Sequence, residues 1–352
     1  MDGAVRALAV LVFAATTIGC AGAAVRPVPV PPAMFLADAR QHGIDVEDPL
    51  RLDALVLAEL DRHVGHLGTP TERFERLVRF LAERGFTAAE KRGSTLRASS
   101  AFHQRRGDCL AYSMLLVATS RALDVDAYFV RAQEVTTFYG DGASLFATTH
   151  VAVGLGNGPD ADVVDVARHA RDQKLVRYDR IDDAAAFALF ASNHAVDAME
   201  EGDVVGAERT FRFLVHETPH VAEIWSNLVV ALSRLGRHGE ARDVAAFAAG
   251  TFPDFAPVHT NGLLAAIRAG DAKAAAWFEA RGERIRGTDP LFVFARGQRR
   301  FHAGDYEGAI RDFETVLDSD VDSAVVATWL VRASVAAGKP ELGAKVTSNR
   351  PR

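Results

Sequence analysis

The sequence predicts an α+β domain followed by an all-α helical solenoid, and three observations predict it. A helix start at Gly107-Asp108-Cys109 is followed by strand-like runs that carry His150 and Asp165. In the carboxy-terminal half, Gly202, Gly236, Gly270, Gly304 and Gly338 stand 34 residues apart. A stretch with Pro27, Pro29, Pro31 and Pro32 separates an apolar amino terminus from the rest. With about 150 residues as a soft size for one domain, a chain of 352 predicts two folded units. Its 49% apolar and 24% charged residues suit a globular protein that can bury a core. The net charge of −6 supplies no basic field, so a nucleic-acid partner is not expected.

The amino terminus reads as an export signal rather than as fold. Arg6 is its only early positive charge, and residues 7–18 form an apolar run too short to span a bilayer. The run ends in Thr17-Ile18-Gly19-Cys20, which resembles a bacterial lipobox with threonine where leucine is usual. That resemblance implies lipidation at Cys20 and a lipoprotein anchored at the periplasmic face of the bacterial envelope. Ordinary signal cleavage nearby is the alternative. The prolines after Cys20 suit an extended tether. The expected organisation is therefore signal peptide 1–19, tether 20–33, α+β domain 34–187, repeats 188–344 and tail 345–352.

Within 34–187, residues 49–64 and 71–85 predict amphipathic helices. In the second, Phe74, Leu77, Val78 and Leu81 recur at helical spacing, with Thr71 and Glu72 at its start. The helix opening at Cys109 comes next. Residues 128–135, 145–155 and 162–167 then read as strands, rich in β-branched and aromatic residues and divided by glycine turns. Helices first and an antiparallel meander after define an α+β domain.

The 34-residue interval is the length of a two-helix repeat. Ala207, Ala241, Ala275 and Ala309 follow the glycines five places on, and small residues at fixed points let paired helices approach closely. The second unit carries Trp225 and Leu228, then Ala241, Ala245, Ala248 and Pro253, and this pattern resembles the tetratricopeptide repeat. Pro219 closes the first unit in the equivalent place, while Val321 and Gly343 depart from the pattern in the last. Such units stack because none buries its apolar face alone, and the stack offers a concave surface to a protein partner.

The chemistry centres on Cys109. A thiol at its reference pKa of about 8.5 is mostly protonated near neutrality. Asp108 is a good N-cap, which places Cys109 in the first helical turn, where the dipole favours an anion. His150 is placed to pair with a thiolate and to return the proton to a leaving group. Asp165 is placed to orient that imidazole from the next strand. The structural alternatives are ordinary: a cysteine on a helix is commonly a small buried hydrophobe, and a strand histidine commonly a satisfied one. Gln104, five residues upstream, is a candidate oxyanion donor beside the Cys109 amide. Arg97, Arg105 and Arg106 read as a solvated loop face, and His63 and His66 with Asp61 as a helix end rather than a metal site. No metal or cofactor motif occurs.

Arg106-Gly107-Asp108-Cys109, Leu115-Leu116, Arg121, Leu123-Asp124-Val125, Thr149-His150-Val151-Ala152-Val153 and Val164-Asp165 together resemble the transglutaminase-like superfamily, papain-like in topology. Phe190, Asn193-His194-Ala195 and Gly202-Asp203 resemble the junction of bacterial proteins that fuse this domain to tetratricopeptides. The resemblance implies Cys109 as nucleophile, His150 as base and acid, and Asp165 as orienter. It implies attack on a peptide or isopeptide carboxamide through an acyl-enzyme, with water or an amine as acceptor and no cofactor. The expected partners are a protein or peptide substrate, a protein on the concave face of the repeats and a membrane lipid. The alternative is a catalytically inactive domain of the same fold that serves, with the repeats, as a protein-interaction scaffold.

Overall fold

The computed structural model describes residues 31–88, 95–139, 146–156, 162–164, 178–287, 289–317 and 323–342. Cys20 and Asp165 lie outside the described residues. Among the described residues three helices come first: α1 Pro32–Gln41, α2 Ala54–His63 and α3 Pro70–Glu83. The Asp53 carboxylate accepts from the Leu55 and Val56 amides at 3.1 and 3.0 Å. Capping there starts α2 later than residue 49, where the sequence pattern begins it. Thr69 and Glu72 form a capping box with Pro70 at the first helical position, so α3 starts just ahead of the expected Thr71. Its buried face holds Phe74, Leu77, Phe80 and Leu81, while Val78 is 36% exposed.

A two-residue parallel pair, β1 Thr87–Ala88 with β2 Arg106–Gly107, brackets α4 Ala98–Gln104. Arg105 stands at φ 53°, a left-handed conformation that turns the end of α4 into β2. That turn delivers Asp108 to the head of α5 Cys109–Ala122. Residues 110–120 of α5 are all buried, as expected of a helix surrounded by other elements. Four strands follow: β3 Ala127–Tyr139, β4 Phe146–Leu155, β5 Asp162–Val164 and β6 Tyr178–Ile181. Their order is β5-β4-β3-β6 and every pairing is antiparallel. The sheet contains the expected meander and one strand more, β6, which adds to the outer edge of β3.

The solenoid consists of α6 Asp183–Glu200, α7 Val204–Glu217, α8 Ala222–Arg234, α9 His238–Thr251, α10 Ala256–Arg268, α11 Ala272–Arg286, α12 Pro290–His302, α13 Tyr306–Val316 and α14 Ser323–Ala336. The boundary expected at 187/188 falls inside α6. The five spaced glycines terminate α6, α8, α10, α12 and α14 at φ of 107, 74, 72, 81 and 75°. Those angles cost an L-residue about 1–2 kcal/mol each, which is why glycine recurs there. Trp225 Nε1 donates to the Pro219 carbonyl at 2.9 Å. Thirty-four residues on, His259 Nε2 lies 2.9 Å from the Pro253 carbonyl. A carbonyl only accepts, so Nε2 carries the proton in that bond. The repeat is thus maintained where its residue type has changed.

One apolar cluster spans both expected units. A continuous apolar cluster runs from Phe35 in α1 through Leu115 in α5 and Val151 and Val153 in β4 to Ala295 in α12. Phe35 packs on Phe187 of α6 and Phe213 of α7, with ring centroids 6.3 and 5.7 Å apart. A separate cluster around Phe294, Phe313 and Leu330 holds α12–α14 together. The first helices of successive repeats touch one another, and α8 lies against β4. Apart from Trp225, α8 is buried from Ala222 to Ser233, and α10 is buried across residues 257–266. The inner helices α8 and α10 are therefore interior, and the open concave face expected from the sequence is not available along them.

Candidate functional site

Cys109 occupies the first position of α5 and is half-buried with a free thiol. Asp108 caps the helix, its Oδ1 accepting from the Ala111 amide at 2.8 Å, as its position in the sequence predicts. Its other oxygen accepts from the Thr95 hydroxyl, and Thr95 Oγ1 in turn accepts from Asn193 Nδ2 at 3.0 Å. Burial pushes the Asp108 carboxyl above the usual carboxylate range, against the bonds from Thr95 and the helix amides.

His150 lies on β4, half-buried, at a break in the sheet. β3 and β4 are in register from Ala127↔Leu155 to Arg131↔Val151, and pairing resumes at Thr136↔Thr149. Residues 132–135 of β3 therefore stand opposite His150 alone, an irregularity of the kind that re-aims side chains beside functional sites. Ser113, one turn into α5, donates toward two carbonyls, that of Cys109 at 2.8 Å and that of Val151 at 3.0 Å. One hydroxyl thus joins the turn that holds Cys109 to the residue after His150. The backbone segments of these two predicted residues are brought together. The third, Asp165, lies outside the described residues, one place beyond the last residue of β5.

Gln104 is exposed at the end of α4, where its Oε1 accepts from Arg106 Nε at 3.0 Å. That bond turns Gln104 toward Arg106, and Arg97 pairs with Glu47. His63 stacks on Phe80 at 5.0 Å, while His66 meets Asp61 and Asp124 at 3.4 and 3.3 Å. No group of three or more His, Cys, Asp or Glu among the described residues is placed to hold a metal ion.

Thr95, Tyr112, Ser113, Arg131 and Glu223 of this neighbourhood carry no signal in the sequence. Tyr112, one turn after Cys109, is 6% exposed, and its hydroxyl has no hydrogen-bond partner among the described residues. Burial pushes its ionisation up to about 12. Thr95 precedes α4 in a segment without a helix or strand pattern. Arg131, at the register break, pairs with the buried Glu223 of α8. Only Asn193 had a visible signal, since Ser192-Asn193, Ser226-Asn227 and Thr260-Asn261 repeat at the 34-residue interval.

The fold and site thus define an α+β domain joined to a tetratricopeptide-like helical solenoid, with a cysteine at a helix start in the first part. No family model matches the chain, and no curated protein matches it. Among solved structures it is similar to the hetero-tetramer Cut9-Hcn1 of the APC/C, at 17% identity and a TM-score of 0.41 over 46% of this chain. The chain spans about a third, 32%, of the length of that neighbour. It is similar also to a thermophilic TPR protein of Thermus thermophilus, at 16% identity and a TM-score of 0.40, over 45% of this chain and 89% of the other. A third neighbour is MamA from Desulfovibrio magneticus, at 15% identity and 0.38, over 47% and 92%. No helix of the described residues is long and apolar enough to cross a membrane.

Proposed function

We propose that this chain is a protein-interaction scaffold in which the carboxy-terminal repeats take a protein or peptide partner and the α+β domain braces the first repeats. The observation that carries this reading is the contrast along the solenoid. Helices α8 and α10 are interior, whereas α12 is half-buried at Arg296 and at 299–301, α14 has exposed positions along its length, and a cavity of about 390 Å3 opens between α11 and α12. Its walls carry Glu279, Glu283, Arg296, Arg299 and Arg300 over Ala276 and Ala280. Arg296 bonds Glu283 at 2.6 Å and Asp312 at 2.8 Å, and Arg300 bonds Asp312 at 2.9 Å. Alternating charges held this way suit a polar peptide surface and give no field for nucleic acid. A photoreactive residue at Val335, 60% exposed on α14, tests the reading against one at Leu55, 61% exposed on α2. Protein adducts from Val335 alone are the expected result. Adducts from Leu55 alone would place the partner on the α+β domain and overturn it.

The amino terminus supports placing this scaffold at the bacterial envelope, held by lipid on Cys20. A Cys20→Ala variant should lose its lipid and leave the membrane fraction; unchanged membrane association would contradict the anchor.

A second reading is favoured by a specific observation, the Ser113 hydroxyl that joins the Cys109 turn to the strand of His150. In it the α+β domain is a papain-like thiol enzyme. His150 takes the Cys109 proton, the sulfur bonds the carbonyl carbon of a carboxamide, and the C–N bond breaks as the amine leaves with that proton. Water or a second amine then releases the acyl group, with Asp165 orienting the imidazole. Alkylation of Cys109 by iodoacetamide against pH tests this. An active pair gives rapid reaction at pH 6, well below the reference thiol pKa of about 8.5, and His150→Ala abolishes it. Reaction at the rate of a free thiol would leave the scaffold reading alone.

A further inference from the structure

We infer that the first two repeats are part of the candidate thiol site: Asn193 of α6 and Glu223 of α8 are positioning residues, the first for the Cys109 helix and the second for the strand that carries His150. The inference rests on the thiol reading of the α+β domain.

The first connection is a directional chain of hydrogen bonds. The amide of Asn193 only donates through Nδ2, so Thr95 Oγ1 accepts from it at 3.0 Å. That leaves the Thr95 proton for the Asp108 carboxylate, whose other oxygen accepts from the Ala111 amide at 2.8 Å. A carboxylate committed at both oxygens keeps one rotamer, and α5 starts from it at Cys109. Linked bonds of this kind also polarise one another in a low-dielectric setting.

Asn193 belongs to a ladder. Asn227 Nδ2 donates to Ser192 Oγ at 3.1 Å, and Asn261 Nδ2 donates to Ser226 Oγ at 2.9 Å. Each asparagine reaches back to the hydroxyl of the preceding repeat. Asn193 is on the first repeat helix, and Thr95 of the α+β domain supplies the hydroxyl that a preceding repeat would. The domain therefore docks in the register of a repeat, and its docking bond ends on the cap of the cysteine helix.

The second connection is ionic. Glu223 is 2% exposed, and both its oxygens lie 3.4 Å from Arg131 Nη1. A buried carboxylate persists only when paired, so this contact holds β3 to α8. Arg131 is the last residue in register before the break opposite His150. The two segments that Ser113 joins are thus each gripped by a different repeat.

The test is the iodoacetamide rate at Cys109 in the full chain, read on the Cys109 peptide so that Cys20 does not contribute, as a function of pH. Thr95→Val and Asn193→Ala should each lower the pH 6 rate roughly tenfold, below the hundredfold that a misplacement of about 1 Å costs. Thr95→Ser, which keeps the hydroxyl, should restore it. Asn261→Ala removes an equivalent ladder bond away from the site and should leave the rate unchanged. The double variant Glu223→Gln/Arg131→Gln avoids an unpaired buried charge and should lower the rate by a similar factor. The inference is overturned if Thr95→Val and Asn193→Ala react like wild type, or if Asn261→Ala falls as far as they do. A wild type that itself reacts no faster than a free thiol overturns the thiol reading and this inference with it.

Discussion

Thr95 accepts a hydrogen bond from one side chain and donates one to another, and such residues are the hardest to find in a sequence. Nothing in its neighbours marks it, because its partners lie 13 and 98 positions away. Cys109 and Asp108 were legible because capping is local: the cap and the amide it satisfies lie three residues apart. Gln104 rests on local spacing too, and its Oε1 accepts from Arg106 Nε. Asp53 is a local cap with a titration attached. Its bond from the Val56 amide, and then that from His103, hold its carboxyl below the ordinary 3.8. A depressed carboxylate contributes stability above its unfolded pKa, and that contribution is lost as pH falls through the folded value. Asp53→Ala should therefore lower the urea midpoint at pH 7 and converge with wild type in strong acid; an equal gap at both pH values would refute the cap's role. Tyr112 gives the opposite case. Its buried hydroxyl has no partner among the described residues, so Tyr112→Phe should be neutral or stabilising by up to about 1 kcal/mol in thermal unfolding. A loss above about 2 kcal/mol would reveal a partner for that hydroxyl.

At the scale of elements, periodic signals were read well and pairings were not. The 34-residue glycines were legible because a left-handed turn selects one residue type. The same period in the Ser-Asn and Thr-Asn dipeptides passed unused, since polar residues in a helix ordinarily face water. β6 was missed because Asp179 and Arg180 interrupt its apolar pattern, and an edge strand of four residues tolerates that. β3 runs longer than expected because the irregularity opposite His150 lets pairing resume after it. Gly262 shows how tightly the helix pairs are set. A Cβ there would lie 2.4 Å from Phe278 Cε1, and Phe278 is 1% exposed with nowhere to move. The overpacking cost of about 1–3 kcal/mol exceeds the roughly 1 kcal/mol that alanine gains over glycine in a helix. Gly262→Ala should lower the urea midpoint, and Gly262→Ala with Phe278→Leu should recover part of it. A raised midpoint in the single variant would contradict the close approach of α10 and α11.

For the whole molecule, length and composition predict two folded units, and among the described residues one apolar cluster runs through both while a second holds α12–α14. The reason is physical: a helix pattern reports that a face is apolar and says nothing about which neighbour covers it. The sequence reading placed α1 in the α+β domain, yet Phe35 packs on α6 and α7. Cutting the chain after Ala198 would consequently open the core rather than separate two domains. A scaffold in which the α+β domain braces the first repeats requires the two to behave as one body, and native-state hydrogen exchange measures that directly. Amides of β4 and α8 should exchange only through a shared opening of equal free energy, while α13 and α14, held by their own cluster, exchange at a lower one. Exchange of β4 at a lower free energy than α8, with α8 still protected, would contradict it.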